Sequence, residues 1–196
     1  MTGAVAQAPG VGDRDTTWSW RWETSLDVVA HTQIAALLAR SYARRSWSFT
    51  DARSWFGARP ELRVVGCRDG EPVAHAGVVR RFLRAPDHDV SLLVGDVGLV
   101  AVHPDLQGER LGSALMGAVA AVLTELAVPY GFLTCDSAVR PFYERCGWTA
   151  MTDHVVRSIR VDQALEEHRR NAMLLPVTSS VDAWPSGPIE RNGQEI

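Results

Sequence analysis

The sequence predicts an α+β fold of mixed α/β layers, on three observations. Trp18, Trp20 and Trp22 alternate with polar residues, the period of a half-buried strand, and a stretch with helical spacing follows at once. Between Leu62 and Val102 lie three strand-like segments separated by short turns. From Val90 onward the pattern runs strand, loop, helix, strand, helix, strand. The 196 residues suit one domain of ordinary size. We therefore expect a disordered leader over 1–15 and a single domain over 16–196.

The elements follow in order. Residues 16–23 read as a strand. Leu26, Val29, Ile34, Leu37, Leu38 and Tyr42 recur at helical spacing over 25–45, with Ser25 or Thr24 as cap. Residues 46–60 are aromatic-rich and broken by Gly57 and Pro60, so they read as a loop or short helix. Leu62–Cys67 is a strand, Asp69-Gly70 a hairpin turn, and Pro72–Leu83 a second strand. After a turn at 85–89, Val90–Val102 forms a long strand interrupted by Gly95, Asp96 and Gly98. The loop 103–109 opens into a helix from Arg110 to Ala127, which Val128-Pro129 stops. Tyr130–Thr134 is a strand. Asp136 or Ser137 caps a helix to Arg145 that Gly147 ends. Strands near 149–161 and 173–176 complete the layer, and the polar stretch 163–170 reads as a helical turn or solvated loop.

Composition narrows the function. Apolar residues make up 46% and charged residues 22%, the balance of a globular chain rather than a disordered or fibrous one. A net charge of −3 argues against a nucleic-acid surface, although all 20 basic residues are arginine, which reads as codon bias. Cys67, Cys135 and Cys146 are too few and too widely spaced for a disulfide framework or a zinc site, in keeping with a reducing, cytoplasmic setting. No apolar run approaches the roughly 20 residues of a membrane span. We expect no metal, no nucleic acid and no membrane span.

The most informative stretch is Val97–Met116, where a strand enters a loop of small and polar residues and a helix begins. Unpaired N–H groups and the positive dipole end of a helix suit a phosphate, and glycine allows the anion close to the backbone. Gln107, Gly108, Gly112 and Ser113 stand at that place. Asp96 is a carboxylate amid Val94, Val97 and Leu99. Burial there would raise its pKa toward general-base use, and a bulge residue bonded to backbone amides is the structural alternative. Tyr143, inside a short helix, is either a core aromatic or a proton donor to a leaving group. His75, in an apolar strand, reads as a satisfied core histidine rather than a catalytic one, and His103 is ambiguous.

Two blocks carry a resemblance. Gln107-Gly108-x-x-x-Gly112-Ser113, followed by Phe142-Tyr143-Glu144-Arg145-Cys146-Gly147-Trp148, resembles the GNAT superfamily of N-acetyltransferases over roughly residues 62–160. A closer resemblance, to the nodulation-type N-acyltransferases (NodA), covers nearly the whole chain. It rests on Trp22-Glu23, Ser54-Trp55-x-Gly57-Ala58-Arg59-Pro60-Glu61-Leu62-Arg63, Ala74-His75-x-Gly77, Arg80-Arg81-Phe82, Val128-Pro129-x-Gly131-Phe132, Trp184-Pro185-x-Gly187 and Arg191-Asn192-Gly193. Ala74-His75-Ala76, the Gln107–Leu111 loop and the Tyr143 helix bear a weaker similarity to aminoglycoside N-acetyltransferases. Arg110 departs from the glycine usual in the superfamily. The Phe142–Arg145 block lies outside the nodulation-type pattern, which tilts the expected donor toward a short acyl-coenzyme A.

The resemblance implies a central twisted mixed sheet flanked by helices, with two splayed central strands. It implies acyl transfer from a thioester, acetyl-CoA or another acyl-CoA, to the free amine of an amino sugar or aminoglycoside-like molecule, in antibiotic biosynthesis or resistance. Asp96 would be the base and Tyr143 the acid. Leu99, Val100, Ala101 and Val102 would meet the pantetheine and thioester. Gln107, Gly108, Glu109, Arg110, Leu111, Gly112 and Ser113 would hold the pyrophosphate. Glu23, Trp47, Trp55 and Trp184 are acceptor candidates, since sugars stack on indoles and amines seek carboxylates. The alternatives are long-chain fatty acyl transfer from an acyl carrier protein, and a non-catalytic acyl-CoA-binding module. Oligomeric state stays open, a homodimer being the commonest arrangement in general.

Overall fold

The computed structural model describes residues 2–4, 15–151, 155–160, 162–168 and 171–196. Its strands are β1 (Thr2–Ala4), β2 (Thr17–Trp22), β3 (Leu62–Arg68), β4 (Glu71–Ala85), β5 (Val90–Val102), β6 (Tyr130–Cys135), β7 (Thr149–Met151), β8 (Val156–Ile159), β9 (Leu165–His168), β10 (Asn171–Pro176) and β11 (Ile189–Glu190). The α-helices are α1 (Val28–Ser41), α2 (Leu111–Glu125) and α3 (Arg140–Arg145), with a 3-10 segment at Ala43–Ser48. The chain divides into two compact units: Met1–Val79 with Leu99–Val122 and Ile196, and Arg80–Gly98 with Leu123–Glu195. The strands β4 and β5 and the helix α2 each contribute to both.

In the first unit β2 runs antiparallel to β3 from Thr17↔Cys67 to Trp22↔Leu62, and β3 antiparallel to the first half of β4 from Leu62↔Val78. The turn between β3 and β4 places Asp69 and Gly70 at φ 50 and 82, the left-handed pair that Asp-Gly favours. The helix α1 is capped by Asp27, whose carboxylate accepts from the Ala30 amide at 2.8 Å. Of Ser25 and Thr24, the two caps the sequence offers, neither fills that position, and Ser25 donates to the Trp22 carbonyl at 2.7 Å. The inner face of α1 carries Ile34, Ala35 and Leu38 into a core with Phe49, Val65, Leu99, Ala101 and Ile196. Residues 2–4 of the expected leader pair antiparallel with β2, completing an otherwise open edge. Residues 1 and 5–14 of that leader lie outside the described residues.

In the second unit β5 is parallel to β6, β6 antiparallel to β10, and β10 antiparallel to β7. This is the mixed sheet the sequence implied. Leu83, Val94, Tyr130, Phe132, Leu174, Trp184 and Ile189 fill its core. The glycine at 95, read from sequence as an interruption, is a close-approach site. A Cβ on Gly95 would lie 2.1 Å from Leu123 Cδ2, and one on its register partner Gly131 would lie 2.8 Å from Leu123 Cδ1. The paired glycines let Leu123 press onto the sheet.

Three expectations change. The strand expected over 149–161 is two short strands, β7 and β8. The polar stretch 163–170 contributes β9, antiparallel to β8 from Val156↔His168 to Ile159↔Leu165, because its partner and not its own composition determines its conformation. The helix α3 starts at Arg140 with Val139 at the cap position and no side-chain cap. Asp136 instead accepts the Val139 amide through its carbonyl, in a preceding turn.

Candidate active site

The strand β5 holds the key irregularity. Its ladder with β6 covers Val94↔Tyr130, Gly95↔Gly131 and Asp96↔Phe132 and stops there, although β5 continues to Val102 and β6 to Cys135. Three residues past that point Leu99 adopts φ 51, a left-handed conformation rare for a bulky residue in a strand. The expected parting of two strands is what the ladder shows.

Beyond β5, Pro104–Leu106 makes a 3-10 turn, and Gln107–Arg110 is exposed. Gly108 and Arg110 stand at φ 94 and 63. The first bond of α2 joins the Ala114 amide to the Arg110 carbonyl at 3.1 Å, so the amides of Leu111, Gly112 and Ser113 belong to the first turn, where no intrahelical acceptor exists. The acidic Glu109 would repel a phosphate. Arg68 Nη1 lies 2.8 Å from Glu109 Oε2 and offsets that charge. The donor set therefore fits a pyrophosphate: a glycine with free approach, exposed Arg110 and the first turn of a helix.

A buried charge network runs through the first unit. Arg63, fully buried, donates from Nε to Glu23 Oε2 at 2.7 Å and from Nη2 to Glu23 Oε1 at 3.1 Å. Its Nη1 donates to the Ser54 carbonyl at 2.7 Å and faces His75 Nε2 at 3.3 Å. The other ring nitrogen of His75, Nδ1, lies 2.8 Å from the Leu99 carbonyl. A carbonyl only accepts and a guanidinium only donates, so the tautomer follows: Nδ1 carries the proton and Nε2 is the acceptor. Burial, with Arg63 nearby, pushes the His75 pKa down to about 3, keeping the ring neutral. Burial pulls the Glu23 pKa up, yet Arg63 and Arg59 outweigh it and bring the carboxyl below its usual range. Sequence reading foresaw His75 as a satisfied core histidine but missed Arg63. The available signal was an arginine flanked by Leu62, Val64 and Val65 in a strand.

A second network occupies the other unit. Asp96, 0% exposed, has Arg81 Nε at 3.2 Å and Arg191 Nε at 3.1 Å from Oδ2, and accepts from Arg191 Nη2 at Oδ1, 3.3 Å away. Glu195 bonds Thr134 and lies 3.6 Å from Arg191. Burial lifts the Asp96 carboxyl above its usual range, the direction expected from the sequence, against the opposing pull of Arg191 and Arg81. A general base needs a lone pair open to the incoming amine. Here both oxygens lie near arginines at a buried position, and Oδ2 is left without an aligned hydrogen bond. Tyr143 is buried on α3, its ring 5.0 Å from Phe142 and 6.2 Å from Trp148.

The acceptor candidates separate. Trp184 is a core residue, stacked on Phe132 at 6.0 Å and edge-on to Tyr130 at 5.0 Å, which removes it as a sugar platform. Glu23 is engaged by Arg59 and Arg63 through both oxygens, so it is not free to receive an amine. Trp55 is half-buried with the Arg59 guanidinium 4.3 Å above its ring. Trp47 is 71% exposed and keeps an open indole face. Among the described residues no cluster of three His, Cys, Asp or Glu side chains could hold a metal, and no helix is long and apolar enough to cross a membrane.

Comparison with known proteins agrees with this layout. A family model described as Nodulation protein A (NodA) matches residues 13–196. Nodulation protein A of Bradyrhizobium elkanii is 37% identical over 194 residues, covering 91% of this chain and 91% of that protein. The Rhizobium tropici protein is 34% identical over 194 residues, covering 91% and 97%. Among solved structures, the GNAT family N-acetyltransferase YhbS from Escherichia coli in complex with CoA aligns with a TM-score of 0.62 at 17% identity, over 92% of this chain and 93% of that one. An aminoglycoside 6'-N-acetyltransferase complexed with coenzyme A aligns with a TM-score of 0.57 at 11% identity, over 82% and 98%. At such identities the likeness is one of fold. The chain belongs to the nodulation protein A family of N-acyltransferases and has the GNAT fold.

Proposed function

We propose that this chain transfers an acyl group from a thioester to the free amine of an amino sugar or related small molecule. The observation that carries the reading is the end of the β5–β6 ladder at Asp96↔Phe132, followed on β5 by the left-handed Leu99 and then by the exposed loop into α2. The thioester supplies an activated carbonyl and a thiolate leaving group. In this reading the backbone of Leu99–Val102, beyond the end of the β6 ladder, bonds the pantetheine and the thioester oxygen. The amides from Gln107 to Ser113, with Arg110, hold the pyrophosphate. The amine nitrogen bonds to the thioester carbonyl carbon, the C–S bond breaks, Tyr143 protonates the departing thiolate, and the proton shed by the nitrogen passes through water to restore the Tyr143 hydroxyl. Asp96 holds Arg81 and Arg191 in place rather than meeting the amine itself, and Trp47 offers a stacking face to a sugar ring.

An acetyl or other short acyl-CoA is the first reading for the donor, supported by the CoA-bound structural relatives and by the Tyr143 block. A long-chain acyl group delivered by an acyl carrier protein is the second, favoured by the family match. A thermal-shift panel of acetyl-, octanoyl- and palmitoyl-CoA, with palmitoyl-loaded carrier protein in parallel, separates them, since a ligand of the folded state raises the melting temperature. Transfer onto glucosamine and onto chitotetraose bearing one free amine tests the acceptor. The reading expects a shift with at least one donor and amide formation on an amino sugar. No shift with any donor overturns it.

A further inference from the structure

The backbone of β5 beyond Leu99 is held by side chains. His75 Nδ1 donates to the Leu99 carbonyl at 2.8 Å, Tyr42 Oη to the Val100 carbonyl at 2.8 Å, and Ser41 Oγ to the Val102 carbonyl at 3.2 Å. The ring of His75 cannot turn freely, because its Nε2 accepts from Arg63 Nη1 and Arg63 is itself forked onto Glu23. The chain of contacts therefore runs Glu23, Arg63, His75, Leu99 carbonyl, and it ends on the one residue of β5 with a left-handed backbone.

Peptide planarity gives this chain a chemical consequence. The Leu99 carbonyl and the Val100 N–H belong to one trans peptide unit and point in opposite directions. Fixing the carbonyl on His75 fixes the N–H on the other side. From these contacts we infer that His75 is a positioning residue that aims the Val100 N–H at the thioester carbonyl oxygen, where negative charge develops during acyl transfer. This rests on the reading above, in which the Leu99–Val102 backbone meets the thioester. Its preorganisation comes from a neutral imidazole with both nitrogens engaged, so the donor does not reorient during reaction. The residue touches neither donor nor amine. Tyr42 does the same for the next carbonyl, from the end of α1.

The test uses the full chain with [1-13C]acetyl-CoA and [1-13C]palmitoyl-CoA, and reads the thioester carbonyl stretch by isotope-edited infrared spectroscopy. In the wild type the bound carbonyl moves to lower wavenumber, the mark of an aimed hydrogen-bond donor. In His75→Phe the shift is lost and kcat falls about 100-fold, with the donor KM within twofold. In His75→Asn, whose amide N–H can replace Nδ1–H, the infrared shift and most of the kcat return. Tyr42→Phe lowers kcat less than tenfold. A His75→Phe protein with an unchanged carbonyl shift, or with kcat unchanged, overturns the inference. Should that variant fail to fold, 15N NMR of the wild-type histidines decides: a persistent Nδ1–H tautomer at His75 supports it, and an Nε2–H tautomer overturns it. A wild type whose melting temperature is raised by neither CoA thioester nor palmitoyl-loaded carrier protein sinks the thioester reading instead, a result distinct from either His75 outcome.

Discussion

Two fully buried guanidinium groups, one in each compact unit, solve the same problem differently. In the first unit Arg63 forks onto Glu23 and directs its remaining N–H groups to the Ser54 carbonyl and His75, so each of its nitrogens has an acceptor. In the second, Arg191 and Arg81 share Asp96, but the Nε atoms of both arginines and Oδ2 of Asp96 lie within ion-pair distance without hydrogen-bond alignment. The first network is closed and ends on a backbone carbonyl of β5. The second is close-packed in charge yet incompletely bonded. A buried charge is tolerated when its partners satisfy it, so the closed network holds a fixed geometry, whereas the open one can rearrange at smaller cost.

Breaking the closed network should have the largest effect. Arg63→Met leaves Glu23 with Arg59 alone and the buried His75 acceptor without its donor, and we expect a loss of ~3–5 kcal/mol by urea unfolding. Asp96→Asn leaves two arginines without their shared carboxylate. Because those contacts are misaligned at the start, we expect a loss nearer ~3 kcal/mol. Equal losses in the two variants would erase the contrast between closed and open networks.

The next effect is a pH dependence. Free in the unfolded chain, an imidazole titrates near 6.5, whereas His75 in the fold titrates at about 3. The fold disfavours the protonated ring. Its contribution to stability is complete above pH ~6.5 and is lost progressively as the pH falls from there toward about 3. Urea unfolding at pH 7, 5 and 4 should therefore show a decline that is markedly shallower in His75→Asn. Parallel profiles would show that His75 is not the group responsible.

Packing in the second unit provides the next step down. Gly95→Ala forces a Cβ against Leu123 and should cost ~1–3 kcal/mol by thermal unfolding, with a second alanine at Gly131 adding less than its single effect because both press on Leu123. The smallest change is Glu195→Gln. Glu195 sits at the partly exposed rim of the second network, and its loss should cost less than about 1 kcal/mol.

Much of the layout was legible in the sequence, because it is written locally. The Asp69-Gly70 turn, the long β5, the loop at Gln107-Gly108 and the helix after it all follow from neighbouring residues. The partners of Asp96 could not be read this way, since Arg81 stands on β4 and Arg191 just past β11, and nothing local marks them as neighbours. For the same reason Trp184, in a Pro- and Gly-rich segment, reads from sequence either as a sugar platform or as a packed ring; its environment is made by Phe132 and Tyr130 of β6. Asp27 displaced Ser25 as the α1 cap because the 3-10 turn at Glu23–Ser25 shifts the helix start. The strand β9 draws its conformation from β8. Sequence position does single out Asp96 as a carboxylate that must be paired or used, and Glu23 as a candidate for an amine, but it does not name the arginines that meet them.

The most direct measurement is a 1H–15N correlation spectrum of the full chain titrated with acetyl-CoA and, separately, palmitoyl-CoA. Acyl transfer at β5 predicts that the largest amide shifts fall on Leu99–Val102 and Gln107–Ser113, with Val100 among them. Saturation by either thioester while those amides stay unmoved would contradict it.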